Sequence, residues 1–227
     1  MEMETNLKKG YADALKAAFE ELASRDAAQI CLNAAVSYHE DSSTYEVDYL
    51  GKIYHINVAT CEVGCIGGQL TQPATCLGEE VSATVKVLLL HYLIYAGDKP
   101  LSGKLVSFRE LKNGAAIYYP TFYKRAIAPM IKTFGDCVEN LNNVSKKISG
   151  FKEKYGHASM TIRTLPMVPV TFILWEGEED VPPSGTILFD SSIESFLPAE
   201  DIVFAGSFAV YELMRLKKEC KDLQQAR

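Results

Sequence analysis

The chain has 227 residues, a formal net charge of −6 and 48% hydrophobic residues, which is typical of a globular protein that can bury a core without metals or disulfides. Acidic and basic residues are mixed along the chain without a concentrated basic face, which argues against a nucleic-acid-binding protein. The most hydrophobic window, residues 81–96, contains Lys86 and His91 and is too short to span a bilayer, so no membrane span is expected.

Two helices are predicted at the start of the chain. Apolar and small residues recur at helical spacing over residues 6–24, and Ser24 or Asp26 could cap a second helix that runs to Val36. Residues 44–50 and 52–59 then alternate in strand fashion around Gly51, which predicts a β-hairpin.

A buried helix and an aromatic helix are predicted next. Residues 61–76, rich in Gly, Thr, Gln and Cys, are predicted to be mostly loop, and residues 79–96 form a buried helix that ends at Gly97. Ser107 and Glu110 have the spacing of a capping box. Residues 115–134 are predicted to be a helix kinked at Pro129.

The last third of the chain contains most of the predicted strands. Asp136 and Glu139 have capping-box spacing before a helix that runs to about residue 148, and Ser191 and Glu194 repeat that spacing. A final helix is predicted from Pro198 to about Leu223. Strands are predicted at residues 157–164, 168–175 and 186–189.

These elements predict an α+β fold, with a mainly antiparallel sheet packed against several helices, because no sustained βαβ alternation is present. Residues 1–227 are predicted to form a single domain, with residues 142–155 as the candidate for a subdomain boundary. Six cysteines without a recognisable secretion signal predict free thiols in a reducing cytoplasm. The sequence does not determine the oligomeric state.

An acidic cluster follows the only tryptophan, Trp175. The cluster could bind a hard cation, although a solubilising turn after a strand is the favoured interpretation. Alternatively, Glu176 or Glu178 could act with Asp190 as the acid and base of a hydrolase-type enzyme. The cluster comprises Glu176, Glu178, Glu179 and Asp180.

Three cysteines and a histidine offer ligands for a metal. Cys61, Cys65 and Cys76, with His55 or His91 as a fourth ligand, could bind zinc or an iron–sulfur cluster, but free buried cysteines are favoured because the spacing matches no common motif. His91 could also ligate the cobalt or iron of a tetrapyrrole. A core histidine whose ring nitrogens are satisfied by neighbours is the favoured interpretation.

An aromatic and basic segment follows the buried helix. It could line a pocket for a large, flat, carboxylated ligand, and the favoured alternative is a packed helix with arginine stems lying over tyrosines. No nucleophile–base motif, phosphate-binding loop or dinucleotide-binding loop is found. The segment contains Arg109, Glu110, Tyr118, Tyr119, Tyr123 and Arg125.

Two stretches resemble a known family: residues 87–135, and residues 165–201 with their WEGEED, ILFDSSI and FLPAED blocks. Their order and spacing are similar to the domain of unknown function 3786 family of anaerobic bacteria and archaea, over about residues 8–220. Members often have an aromatic residue at the position of Val181, and the cysteine cluster is not a family feature. The resemblance implies a loose link to iron–sulfur and corrinoid-dependent metabolism, because some relatives are fused or adjacent to such proteins.

We therefore expect a cytoplasmic protein that binds a ligand or a partner protein rather than one that catalyses a reaction. The resemblance makes a corrinoid such as cobalamin, or a related tetrapyrrole, the candidate cofactor, with an iron–sulfur cluster or zinc as alternatives. A hydrolase-type enzyme is the runner-up. This expectation requires the tryptophan-bearing strand and the tyrosine-rich helix to pack together around a cleft. The candidate cofactor contacts are His91, Arg109, Tyr118, Arg125, Trp175 and Glu178.

Overall fold

A computed structural model describes the backbone of residues 2–66, 76–77 and 80–225, and the side chains of residues 10, 12–65, 81–144 and 146–220. The fold is α+β, as predicted: a four-stranded and a five-stranded antiparallel sheet pack with helices around one apolar core. Val144 and Ile148, from the predicted subdomain boundary, belong to that same core.

The first three helices pack together. α1 (Glu2–Ala23) is followed by α2 (Ala27–Ala34), which begins where the Asp26 carboxylate accepts the Ala28 N–H at 2.9 Å. α3 (Ala83–Tyr95) is the predicted buried helix, capped by Ser82, and it packs against α1.

The four-stranded sheet has the order β1-β2-β3-β4. The predicted hairpin is confirmed, and its turn residues Leu50 and Gly51 both have positive φ, 53° and 74°, as a tight two-residue turn requires. The loop prediction is wrong for residues 62–66, because these residues pair with the preceding strand β3 through backbone hydrogen bonds that composition does not reveal. The strands are β1 (Ser37–His39), β2 (Thr44–Tyr49), β3 (Lys52–Asn57) and β4 (Glu62–Ile66). Short β5 (Cys76–Leu77) and β6 (Glu80–Val81) pair with each other, and residues 67–75 lie outside the described part.

The aromatic helix is a continuous run of helical turns: α4 (Ala115–Phe122), a π-helical turn (Tyr123–Ile127) and α5 (Ala128–Phe134). Pro129 has no N–H for the carbonyl four residues earlier, and the wider turn accommodates it: the Ala128 N–H bonds to Tyr123 O, five residues back. The capping box predicted for α6 (Glu139–Ser145) is wrong, because Val138 occupies the cap position without a side-chain hydrogen bond.

The five-stranded sheet has the order β7-β11-β10-β9-β8. Its central strands are buried on both faces, and α7 (Ala199–Gln225) ends the described chain. The capping box predicted at Ser191 and Glu194 is also wrong, since Ser192 precedes the 3₁₀ turn there and its side chain makes no cap. The strands are β7 (Leu105–Ser107), β8 (Phe151–Lys152), β9 (Ala158–Leu165), β10 (Val168–Trp175) and β11 (Ser184–Asp190).

Tyr92 is a buried polar link between the two halves of the fold. Its hydroxyl donates to Ala34 O at 2.6 Å and accepts the Met167 N–H at 3.0 Å, so it joins α2, α3 and the β9–β10 turn. Among the described residues, no helix combines the length and apolarity needed to cross a bilayer.

Candidate functional site

The most distinctive polar pair in the described structure joins α3 to the first turn of α7. His91 Nδ1 lies 2.7 Å from Asp201 Oδ2, although the two residues are 110 positions apart. The carboxylate of this pair is shielded from water, since Asp201 is only 4% exposed, whereas His91 is half-buried. Asp201 lies in the first turn of its helix, as predicted, and a carboxylate is favoured there by the helix dipole.

The surroundings of His91 favour its charged form. The hydrogen bond to Asp201 raises the pKa of His91; burial opposes the rise, and the charges of Asp201, Glu200 and Glu21 add to it. In the neutral ring, the proton on Nδ1 is the one that Asp201 can accept, so the lone pair lies on Nε2. No described residue forms a hydrogen bond with Nε2, which leaves that nitrogen available to a ligand.

A cleft of about 590 Å³ lies between the C-terminal end of α3 and the N-terminal end of α7. His91 itself does not line the cleft; it adjoins the cleft through Tyr95, one turn further along α3, whose ring forms part of the wall and has its centroid 5.4 Å from that of His91. The cleft is lined by Tyr95, Gly97, Asp98, Lys99, Asn113, Glu194, Ser195, Leu197, Pro198 and Ala199.

Backbone contacts hold the wall of this cleft in place. The Gly97 N–H donates to Ser195 O at 2.7 Å, and a Cβ at Gly97 would lie only 3.1 Å from that oxygen. Glu194 Oε1 accepts the N–H groups of Lys112 and Asn113 at 3.0 and 2.8 Å. The spacing of Ser191 and Glu194 predicted a helix cap. The Glu194 carboxylate instead accepts two backbone N–H groups near the cleft wall.

Asp190 anchors the loop that forms the other side of this wall. Oδ1 accepts the N–H and hydroxyl groups of Ser102 and Ser192, and Oδ2 accepts the Gly103 N–H at 2.7 Å. Burial alone would raise the pKa of Asp190, but the hydrogen bonds from Ser192 and Ser102 outweigh it and lower the pKa to about 2. A carboxylate held in this way is poorly suited to transfer protons near neutral pH.

The acidic cluster is the turn between β10 and β11. The Glu178 N–H donates to Val181 O at 2.9 Å, and Trp175, which is 39% exposed, pairs with Ser184. Asp190 ends the same strand that Ser184 begins, about 20 Å away at the usual rise per residue. The structure thus does not bring Glu178 and Asp190 together as an acid–base pair.

The arginines of the aromatic segment lie on aromatic rings. The Arg109 guanidinium is 4.0 Å from the centroid of Tyr119, and that of Arg125 is 5.7 Å from Phe204 on α7. Tyr118 is partly buried against the core. Across the described residues, no hydrogen bond, ion pair or ring contact joins any two of the six predicted cofactor contacts, and their role as one site stays a prediction.

The three cysteines lie on different parts of the chain: Cys61 precedes β4, Cys65 lies within it and Cys76 begins β5. Cys61 is exposed and Cys65 is partly buried. The Cys76 side chain lies outside the described residues, so the three-thiolate set stays a prediction. Within the described part, no group of three His, Cys, Asp or Glu side chains could hold a metal ion.

Asp201 should control the titration of His91. We expect Asp201→Asn to lower the pKa of His91 toward its usual value near 6.5. Because the folded-state pKa is the higher one, the pair stabilises the fold fully below about pH 6.5 and loses this contribution as the pH rises through the folded pKa. NMR titration of the His91 ring in both proteins measures this. Glu200→Gln serves as the control with a smaller effect, and equal His91 pKa values in wild type and Asp201→Asn would contradict the assignment.

The sequence was compared with known families, curated proteins and solved structures. A family profile described as Domain of unknown function (DUF3786) matches residues 26–212 and confirms the resemblance. No curated protein and no solved structure matches.

Proposed function

The chain belongs to the DUF3786 family, and we propose that it binds a small-molecule cofactor in the cleft beside His91, with a corrinoid as the first candidate. The observation that carries this proposal is the 2.7 Å contact between His91 Nδ1 and Asp201. Histidines that ligate metals usually donate their other ring N–H to a carboxylate in this way, which fixes the tautomer and raises ligand basicity.

The cleft supports the proposal by its size and its lining. About 590 Å³ falls within the usual range of small-molecule sites, roughly 300–1,000 Å³. Tyr95, Leu197 and Pro198 offer apolar contacts, and Lys99 and Asn113 offer donors for the amide or carboxylate groups at the edge of a macrocycle. A bound corrinoid would supply cobalt, and His91 Nε2 is the nitrogen that would hold it.

A cytoplasmic location is part of the proposal. Free thiols suit a reducing compartment, and the cysteines whose side chains are described carry no disulfide. They are Cys31, Cys61, Cys65, Cys137 and Cys220.

Visible absorption spectra of the protein mixed with hydroxocobalamin, and separately with haemin, test the proposal. We expect the cobalamin bands to shift and the pigment to co-elute on gel filtration, with binding lost in His91→Ala. Asp201→Asn should bind about 10-fold to 100-fold more weakly, as changes in the partner of a ligating histidine do.

His157→Ala is the matched control, because His157 carries an exposed imidazole far along the chain from the cleft. Its spectrum with hydroxocobalamin should equal that of the wild type. An unchanged spectrum without co-elution removes the corrinoid, and equal binding by His91→Ala removes His91 as the contact.

A further inference from the structure

A second, smaller cleft of about 220 Å³ lies between the 3₁₀ turn Phe108–Glu110, α4 and β11. Its lining combines a cation, three hydroxyl groups and apolar side chains. The residues that matter are Ser107, Arg109, Tyr119, Phe122, Thr186 and Ile187.

The Arg109 guanidinium at this cleft lies against an aromatic ring and has no anionic partner among the described residues. Its face lies 4.0 Å from the centroid of the Tyr119 ring. Stacking of this kind leaves the in-plane N–H groups free to donate, and a carboxylate can accept two of them at once. None of the ion pairs or hydrogen bonds of the described residues involves the Arg109 side chain.

The nearest carboxylate in sequence is committed elsewhere. Glu110 Oε2 accepts the Ser107 N–H at 2.7 Å as part of a capping box, and this hydrogen bond lowers the pKa of Glu110. The same capping box fixes the backbone that carries Arg109. The capping box therefore positions Arg109. The neighbouring Glu110 carboxylate is hydrogen-bonded to the Ser107 N–H and does not pair with Arg109.

The floor of the cleft is apolar. Phe108 and Phe122 are buried and stacked with centroids 4.6 Å apart, and Ile187 is buried beside them. Ser107 and Thr186 at the edge are partly exposed and can donate hydrogen bonds. A strongly hydrated inorganic anion would leave such a floor unused, whereas an anion with an apolar body would contact both the floor and the cation.

From this geometry we infer that the cleft is a binding site for small monocarboxylates with an apolar, ring-sized body. The carboxylate accepts two N–H groups of Arg109, and the apolar body enters the cleft that Phe122 and Ile187 line. This site is separate from the His91 cleft and does not depend on the corrinoid.

Isothermal titration calorimetry with benzoate and its neutral analogue benzamide tests the inference. We expect saturable benzoate binding by the wild type and at least tenfold weaker binding of benzamide. Arg109→Gln should weaken benzoate at least tenfold and leave benzamide unchanged. Arg109→Lys should retain only part of the affinity, because it keeps the charge and loses the planar, two-point contact.

Two controls keep the result specific. Arg163→Gln removes an exposed arginine on β9 and should bind benzoate like the wild type. His91→Ala should also bind benzoate like the wild type, whatever its effect on cobalamin binding. Equal affinity for benzoate and benzamide, full benzoate binding by Arg109→Gln, or no benzoate binding by folded wild-type protein would each overturn the inference.

Discussion

Asp190→Ala is expected to lower the free energy of unfolding by about 4 kcal/mol, because hydrogen bonds to a buried carboxylate are each worth roughly 1.5–3 kcal/mol and are not additive. Asp190 is 4% exposed and accepts hydrogen bonds from Ser102, Gly103 and Ser192. The melting temperature should fall by roughly 10 °C for a domain of this size. Chemical and thermal denaturation of both proteins measure these values.

The Asp190 effect also has a pH signature. Its folded pKa of about 2 lies below the usual value near 3.9, so the carboxylate stabilises the fold fully above about pH 4 and loses this as the pH falls through 2. The shift corresponds to about 2.5 kcal/mol. We expect Asp190→Asn to lose this acid dependence, while Glu178→Ala, which removes an exposed carboxylate, should stay within about 0.5 kcal/mol of wild type. Unaltered acid stability in Asp190→Asn would contradict the account.

The consequence of losing Asp190 should extend to the cleft. Asp190 holds Ser102 and Gly103, and the chain that leads to them carries Asp98 and Lys99 of the cleft wall. A protein that lacks this anchor should therefore bind its ligand in the His91 cleft more weakly even at temperatures where it stays folded. Asp190 therefore has a structural role: its carboxylate at the end of β11 anchors a loop and need not be catalytic.

Local patterns predicted most elements of the fold, and strand pairing without a compositional signal limited the rest. The β2–β3 hairpin follows from alternation around Gly51, and α3 follows from its apolar run and its end before Gly97. β4 was missed because it pairs with β3 through backbone hydrogen bonds that leave no compositional trace. Capping-box spacing succeeded at Ser107 and failed at Asp136, since the motif alone does not show whether a helix begins there.

The candidate site could be predicted only in part, because its two polar residues come from distant parts of the chain. The sequence singled out His91 for its place on a buried helix, and Asp201 only as a residue near a helix start. Their contact depends on how α3 and α7 pack, which spacing cannot give. Likewise, the apparent cluster of Arg109 and Arg125 separates onto different rings, because Arg109 lies on the 3₁₀ turn before α4 and Arg125 on the π-helical turn after it.

Glu212→Ala is expected to destabilise the protein by about 3–5 kcal/mol, the usual cost of removing one partner from a buried ion pair. The Glu212 side chain is 4% exposed, and its two oxygens accept from Arg215 Nη2 at 2.6 Å and Nε at 2.9 Å, with Lys52 Nζ 3.9 Å away. Because Lys52 lies at the start of β3, this cluster ties the hairpin to α7, the helix that carries Asp201. Thermal and urea denaturation should show the loss.

Glu219→Ala is the matched control for this prediction. Glu219 also pairs with Arg215, but it is the outer and more exposed member, with 26% of its side chain accessible. Its loss should cost less than about 1 kcal/mol. A double-mutant cycle of Glu212→Ala with Arg215→Ala should show a coupling of at least about 1 kcal/mol, since the two residues share a bidentate contact. Additive effects would mean that the Glu212–Arg215 contact within α7 contributes nothing beyond the two side chains taken separately.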